Sequence, residues 1–179
     1  MKQLILVNGV PASGKSRVAG TISAQGSWPL LTLDTIKEVL FSHLGIGDRD
    51  YNRKLGAASY EAMFALAGDF PDTTIVMDAW FGFQPEQVLA SHLGKAGAAS
   101  VVQVWCHAAP AVIGERYQAR VGQRSGGHLG PEYVPELMAL AARAVPMPNY
   151  PTYATDTTGQ FDLAAFIDWR DRQGSDHGI

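Results

Sequence analysis

The chain has 179 residues, 46% hydrophobic and 17% charged, with a formal net charge of −3. That length suits one domain with a closed core, and the acidic balance argues against nucleic acid or an acidic membrane surface as partner, since both call for a basic field. The single cysteine, Cys106, excludes an internal disulfide and fits a reducing compartment.

In chain order, Gln3–Val7 is a short apolar run with β-branched residues, ended by Asn8 and Gly9, and predicts a buried strand. It is too short for a signal-peptide core, and no stretch approaches the roughly 18 apolar residues of a membrane span. A cytoplasmic location is expected. The pattern then predicts a helix from Lys15 to near Gly26, and a strand over Leu30–Leu33 with Asp34 capping the helix that follows. Next come a long helix capped by Asp50 and running to about Ala67, a strand over Thr73–Asp78, and a helix over Gln84–Lys95 with Pro85 in its first turn. A fourth strand covers Ser100–Cys106 and a helix Ala109–Arg124. A glycine-rich loop then leads to a helix over Val134–Ala144, a weak strand over Thr152–Thr155 and a closing helix over Phe161–Arg170. Strands alternating with helices predict a parallel sheet covered on both faces, a three-layer α/β/α domain over residues 1–172 with a tail at 173–179. In such sheets ligands bind beyond the carboxyl ends of the strands. Gly9, Asp34, Asp78, His107 and Asp156 are expected there.

The segment Gly9-Val10-Pro11-Ala12-Ser13-Gly14-Lys15-Ser16 matches G-x-x-x-x-G-K-[ST] at every fixed position. The glycines let successive N–H groups turn inward as a nest for phosphates, and the helix starting near Lys15 adds the positive end of its dipole. Lys15 supplies a point charge for the β- and γ-phosphates, and Ser16 a hydroxyl for Mg²⁺. The dinucleotide spacing G-x-G-x-x-G is absent here, as are the Asn-Lys-x-Asp and Thr-Lys-x-Asp signatures of guanine selection. Asp78, after the apolar Ile75-Val76-Met77, has the pattern of a metal-holding strand-end acid.

Taken in order, GVPASGKS, LLTLDTIKEVL, TTIVMDAWF, GERYQARVGQR running into SGGHLG, and TYATDTT resemble the small P-loop kinases. These include shikimate and gluconate kinases, chloramphenicol phosphotransferase and the zeta-toxin-like or AAA_33 ATPases. The resemblance implies a P-loop NTPase fold with a five-stranded parallel sheet, the first strand in its middle, and a mobile lid at about 120–135. It implies ATP and Mg²⁺ as cofactors, a small-molecule hydroxyl acceptor, and a monomer or homodimer. By the same resemblance Asp34 meets the acceptor hydroxyl as base or orienter, a role compatible with helix capping. The metal role stays open between Asp34 and Asp78, each with Ser16.

Arg116, Arg120 and Arg124 recur every four residues and form one helix stripe. A solvated face would explain two of them; a third leading into a glycine-rich loop favours an anion opposite. The resemblance implies that such arginines stack on adenine and reach the transferring phosphoryl group, and it matches Arg124 with Gly127-His128 to a lid signature. Ser125 and Gly126 depart from that signature. On the acceptor side Trp80, Phe81 and Phe83 cluster beyond a strand end, Trp80 being the candidate for stacking on a sugar or ring face. Arg53, with Arg49 and Lys54, is a candidate anion contact, and His128 a further substrate contact. The function expected is ATP-dependent phosphoryl transfer to a hydroxyl. A nucleotide-sugar or polynucleotide end kinase is one alternative, and a nucleotide-sensing module without transfer is another.

Overall fold

The apolar strand predicted at the start of the chain becomes the centre of the sheet in the computed structural model, which describes residues 1–123 and 126–175. The elements are β1 (Gln3–Asn8), α1 (Lys15–Gly26), β2 (Leu30–Thr32), α2 (Leu33–Leu44), α3 (Arg49–Asp69), β3 (Thr74–Asp78), α4 (Glu86–Lys95), β4 (Ser100–His107), α5 (Pro110–Arg120), α6 (Val134–Arg143), β5 (Thr152–Asp156) and α7 (Leu163–Ser175). Five strands pair in the order β2-β3-β1-β4-β5, all parallel. The register pairs Val7 with Asp78 and His107 with Asp156, which brings the carboxyl ends of the strands to one edge.

The side-chain period of two along β1 divides the core. Leu4 and Leu6 join Tyr60, Met63 and Phe64 of α3 and Leu89 and Leu93 of α4 on one face. Ile5 and Val7 join Val18, Ala19 and Ile22 of α1 and Phe166 of α7 on the other. A third cluster packs Ile113 and Tyr117 of α5 and Leu137 of α6 directly against Val10 and Ala12. The segment between β1 and α1 is thereby walled by a helix pair as well as by the sheet.

Several element ends differ from expectation. β2 stops at Thr32, which caps α2, so Asp34 lies inside the first helical turn rather than at the cap. There its carboxylate still meets the positive end of the helix dipole. α3 is capped by Asp48, whose Oδ1 accepts from the Tyr51 N–H at 2.8 Å; Asp50 lies two residues later, inside the first turn, and pairs with Arg53 instead. Pro85 is the cap residue of α4 rather than part of its first turn. α5 ends at Arg120 and tightens into a 3-10 turn over Val121–Gln123, with Gly122 weakening the helix there. α7 starts at Leu163, because Asp162 Oδ1 accepts from the Ala165 N–H, and it continues to Ser175, into the segment expected as a tail.

Lys2 is buried, and its ammonium donates to the carbonyls of Ala67, Gly68 and Ala96 at 2.8–3.0 Å. Two of these carbonyls end α3 and the third follows α4, so one side chain satisfies acceptors that helix ends leave open. Lys2→Met strands them in an apolar setting. It is expected to cost about 1–3 kcal/mol, read as a lowered midpoint in urea unfolding with an unchanged slope.

Candidate active site

The Gly9–Ser16 loop leaves β1 with its backbone turned into conformations that most residues avoid. Gly9 has φ 154°, Ala12 φ 62° and Gly14 φ 84°. A Cβ at Gly9 would run into the Cys106 carbonyl and the Ser13 side chain, so glycine is required by space as well as by φ. Ala12 adopts the left-handed conformation without being glycine, a local cost of the kind that functional loops carry. The Ser13 N–H closes the loop onto the Val10 carbonyl at 3.1 Å, and Lys15 Nζ lies 3.5 Å from the same carbonyl. Asn8, fully buried, holds the entrance: its Oδ1 accepts from the N–H of Gly9 at 2.8 Å and of Phe81 at 2.9 Å, and its Nδ2 donates to Gln103.

Asp78, at the end of β3 beside β1, is buried at 3% exposure. Its carboxyl is held above the ordinary carboxylate range, chiefly by burial. Lys15 and a hydrogen bond from the Ser16 hydroxyl oppose that shift, and the nearby charge of Asp34 adds to it. One carboxylate oxygen, Oδ1, is buried with no hydrogen-bond partner. A buried anionic oxygen lacking a donor, next to a serine hydroxyl, suits a hard cation such as Mg²⁺, which takes few protein oxygens. Ser16 and Asp78 therefore fit the metal role, and the exposed Asp34 lies near enough to Asp78 for its charge to be felt there.

Arg120 lines a small cleft together with Ala12, Gly14, Lys15, Ser16 and Arg17. Arg116, one turn earlier on α5, is bound elsewhere: its guanidinium donates to the Thr157 hydroxyl and to the Thr157 carbonyl, both at 2.9 Å. Arg17 reaches the same turn, donating to the carbonyls of Thr157 and Gly159. The stripe thus divides, with Arg120 beside the loop and Arg116 joined to the turn after β5. Arg124 lies outside the described residues.

His128 packs against α2, with Nε2 3.4 Å from Glu38 Oε1 and its ring edge-on to Phe41 at 5.8 Å. A Cβ on Gly127 would collide with the Phe41 ring, so the loop approaches α2 as closely as glycine permits. Tyr117 of α5 donates to the Leu129 carbonyl. Gly127 and His128 are therefore held against α2, the helix whose first turn carries Asp34. Of the three aromatics after β3, Phe81 is core, Phe83 is half exposed, and Trp80 packs partly buried against the cluster containing Val10 and Ala12. Arg53 is exposed on α3 and pairs with Asp50, and Arg49 pairs with Glu136. A separate cleft of about 210 Å³, lined by Phe81, Leu89, Met147 and Tyr150 among others, lies between α4 and the segment entering β5. Asp156 accepts from the N–H and hydroxyl of Thr158, which holds its carboxyl below the usual range and makes it a turn residue. Burial pushes the Cys106 thiol up to about 12, consistent with an inert core thiol.

Asn8, Arg17 and Thr157 escaped the sequence reading. Asn8 registers there only as the residue ending a strand, Arg17 as one more helix cation, and Thr157 as one threonine in TYATDTT. Each has a partner far along the chain, 73, 140 and 144 positions away, so no local pattern singles them out.

Residues 4–143 match the AAA_33 family, an AAA domain. None of the curated proteins matches the chain. Among solved structures, a presumed kinase from Chloroflexus aurantiacus j-10-fl is 26% identical with a TM-score of 0.82, covering 96% of this chain and 97% of that one. A gluconokinase from Sinorhizobium meliloti 1021 is 21% identical (TM-score 0.56; 94% and 88% covered), and a shikimate kinase from Bacteroides thetaiotaomicron 16% identical (TM-score 0.55; 97% and 96%). The latter two share the fold. The architecture is that of a small P-loop kinase, and among the described residues no helix is long and apolar enough to cross a membrane.

Proposed function

We propose that this chain, which belongs to the AAA_33 family, transfers the γ-phosphoryl group of ATP to a hydroxyl of a small molecule. The observation that carries the reading is the convergence of Lys15, Ser16, Asp78 and Asp34 at the carboxyl ends of β1 and β3, with Arg120 lining the cleft beside Lys15 and Ser16. The loop amides and Lys15 hold the phosphates. Mg²⁺, held by Ser16 and Asp78, supplies charge neutralisation when bound. Arg120 adds a fixed, delocalised cation, and Arg124 is proposed to join it. Arg116 serves the base end of the nucleotide from its place against the turn after β5.

Asp34, exposed and near Asp78, is proposed to orient an acceptor hydroxyl and take its proton. Trp80 and His128 border the acceptor side. Arg53 is a weaker contact there, because Asp50 already neutralises it. The engagement of Arg116, Arg49 and Arg53 by groups of the chain itself supports a small acceptor over a polyanionic polymer.

An ADP-release screen over sugars, polyols, nucleosides and antibiotics tests the proposal; no acceptor raising release above background counts against transfer. With the acceptor in hand, Asp34→Asn is expected to lower kcat about 10²- to 10⁴-fold while ATP affinity stays within about twofold of wild type. Loss of ATP affinity in that variant would move Asp34 to the metal site.

A further inference from the structure

The turn after β5 holds a residue whose bonding exceeds anything a turn needs. Thr157 is 3% exposed, and its own N–H donates to the His107 carbonyl at 2.9 Å, continuing the β4–β5 ladder by one step. Its carbonyl accepts from Arg116 and Arg17. Its hydroxyl receives Arg116 Nη1 at 2.9 Å, so the single hydroxyl proton must go to another acceptor. Two carbonyls are in reach: Ser13 at 2.7 Å and His107 at 3.2 Å. The shorter contact is to Ser13, inside the phosphate loop.

The consequence follows from peptide geometry. The Ser13 carbonyl and the Gly14 N–H belong to one planar trans unit and point in opposite directions. Holding the carbonyl on Thr157 turns the Gly14 N–H away from Thr157, at the point where α1 begins. A Cβ on Gly14 would meet Thr157 at 3.0 Å, so the two residues are in close contact. We infer that Thr157 is a positioning residue for the phosphate loop: its hydroxyl sets the Ser13–Gly14 peptide so that the Gly14 N–H faces the nucleotide phosphates. Arg116 directs the hydroxyl proton towards the loop and so ties that peptide to α5. The inference rests on the reading that Gly9–Ser16 binds nucleotide phosphates, and it adds a residue 144 positions from Ser13 to that site.

The test is calorimetric titration of the full chain with MgADP, for wild type, Thr157→Val and Thr157→Ser. The valine variant keeps the shape and removes the hydroxyl. It is expected to raise Kd about five- to tenfold with binding stoichiometry unchanged near one, which separates a mispositioned loop from a partly unfolded sample. The serine variant keeps the hydroxyl and is expected to stay within about threefold of wild type. Should T157V lack a cooperative thermal transition, Thr157→Ala adds no bulk beside Gly14 and is expected to give the same rise in Kd. A hydroxyl-free variant with wild-type Kd overturns the inference, and so does a serine variant as weak as the valine one. Wild-type protein that binds no MgADP overturns the phosphate-loop reading itself, and this inference with it.

Discussion

Replacing Lys15 by alanine is expected to weaken MgATP binding about 10²- to 10⁴-fold and to remove phosphoryl transfer. The side chain leaves the first residue of α1, lies 3.5 Å from the Val10 carbonyl, and shares the cleft with Arg120. Hydrogen bonds to charged groups contribute about 1.5–3 kcal/mol each. Two such bonds to phosphate oxygens, at 1.4 kcal/mol per decade, give the range stated. Arginine is not expected to restore function. Its planar fork is wider than an ammonium, and the nest at the helix start accommodates a compact point charge. Calorimetric titration with MgATP and an ADP-release assay check both statements. Retained affinity in Lys15→Ala would mean that the loop does not contact the phosphates in the way its motif demands.

Asp78→Asn is expected to act in opposite directions on function and stability. Asparagine is a poorer ligand for a hard divalent cation, so Mg²⁺-dependent turnover should fall at least about 10²-fold. The protein without nucleotide or metal should melt at a higher temperature. Burial holds the Asp78 carboxyl above its ordinary range, so the folded state favours the protonated form. At pH below the ordinary carboxylate range the group is neutral in both states and carries no penalty. As pH rises through its raised folded-state pKa, the buried carboxylate must ionise and stability is lost. Lys15 and Ser16 offset part of that loss, and Asp34 adds to it. The variant has no such ionisation. Its advantage should be absent in acid and grow towards neutral pH, each 1 kcal/mol appearing as about 2–4 °C in Tm for a domain of this size. Added Mg²⁺ should raise the Tm of wild type and leave the variant unmoved. Thermal melts across pH, with and without Mg²⁺, check all three statements. A variant less stable than wild type at neutral pH would show that the carboxylate is structurally required.

The parts of the fold legible in the sequence are those governed by short-range rules. The apolar runs gave β1, β3 and β4, because a strand buried on both faces demands continuous Val, Ile and Leu, whereas β5, with the sequence TYATD at the sheet edge, was legible only as a weak strand. Cap positions were the weakest reading. Asp34, Asp48 and Asp50 are all acceptable cap residues near helix starts, and the choice depends on where β2 stops and how the 45–48 connection is stretched. The arginine stripe was legible as a stripe but not as a division of labour. Spacing by four places Arg116 and Arg120 on one helix face. What separates them is the turn after β5, which arrives beside Arg116 and not beside Arg120.

By itself the sequence determined the phosphate loop: the glycines, Lys15 and Ser16 are sufficient because the nest is built from consecutive backbone groups and needs no distant partner. It also determined that an acid ends the strand before Ala79. Only the tertiary structure decided that this acid is buried beside Ser16 with an oxygen left unpartnered, that Lys2 closes two helix ends, and that Asn8 and Thr157 grip the loop from either end. Apart from the bond between Asn8 and its neighbour Gly9, those facts depend on contacts between chain segments 62 to 144 residues apart. Sheet order and register bring such segments together, and no local periodicity encodes either one.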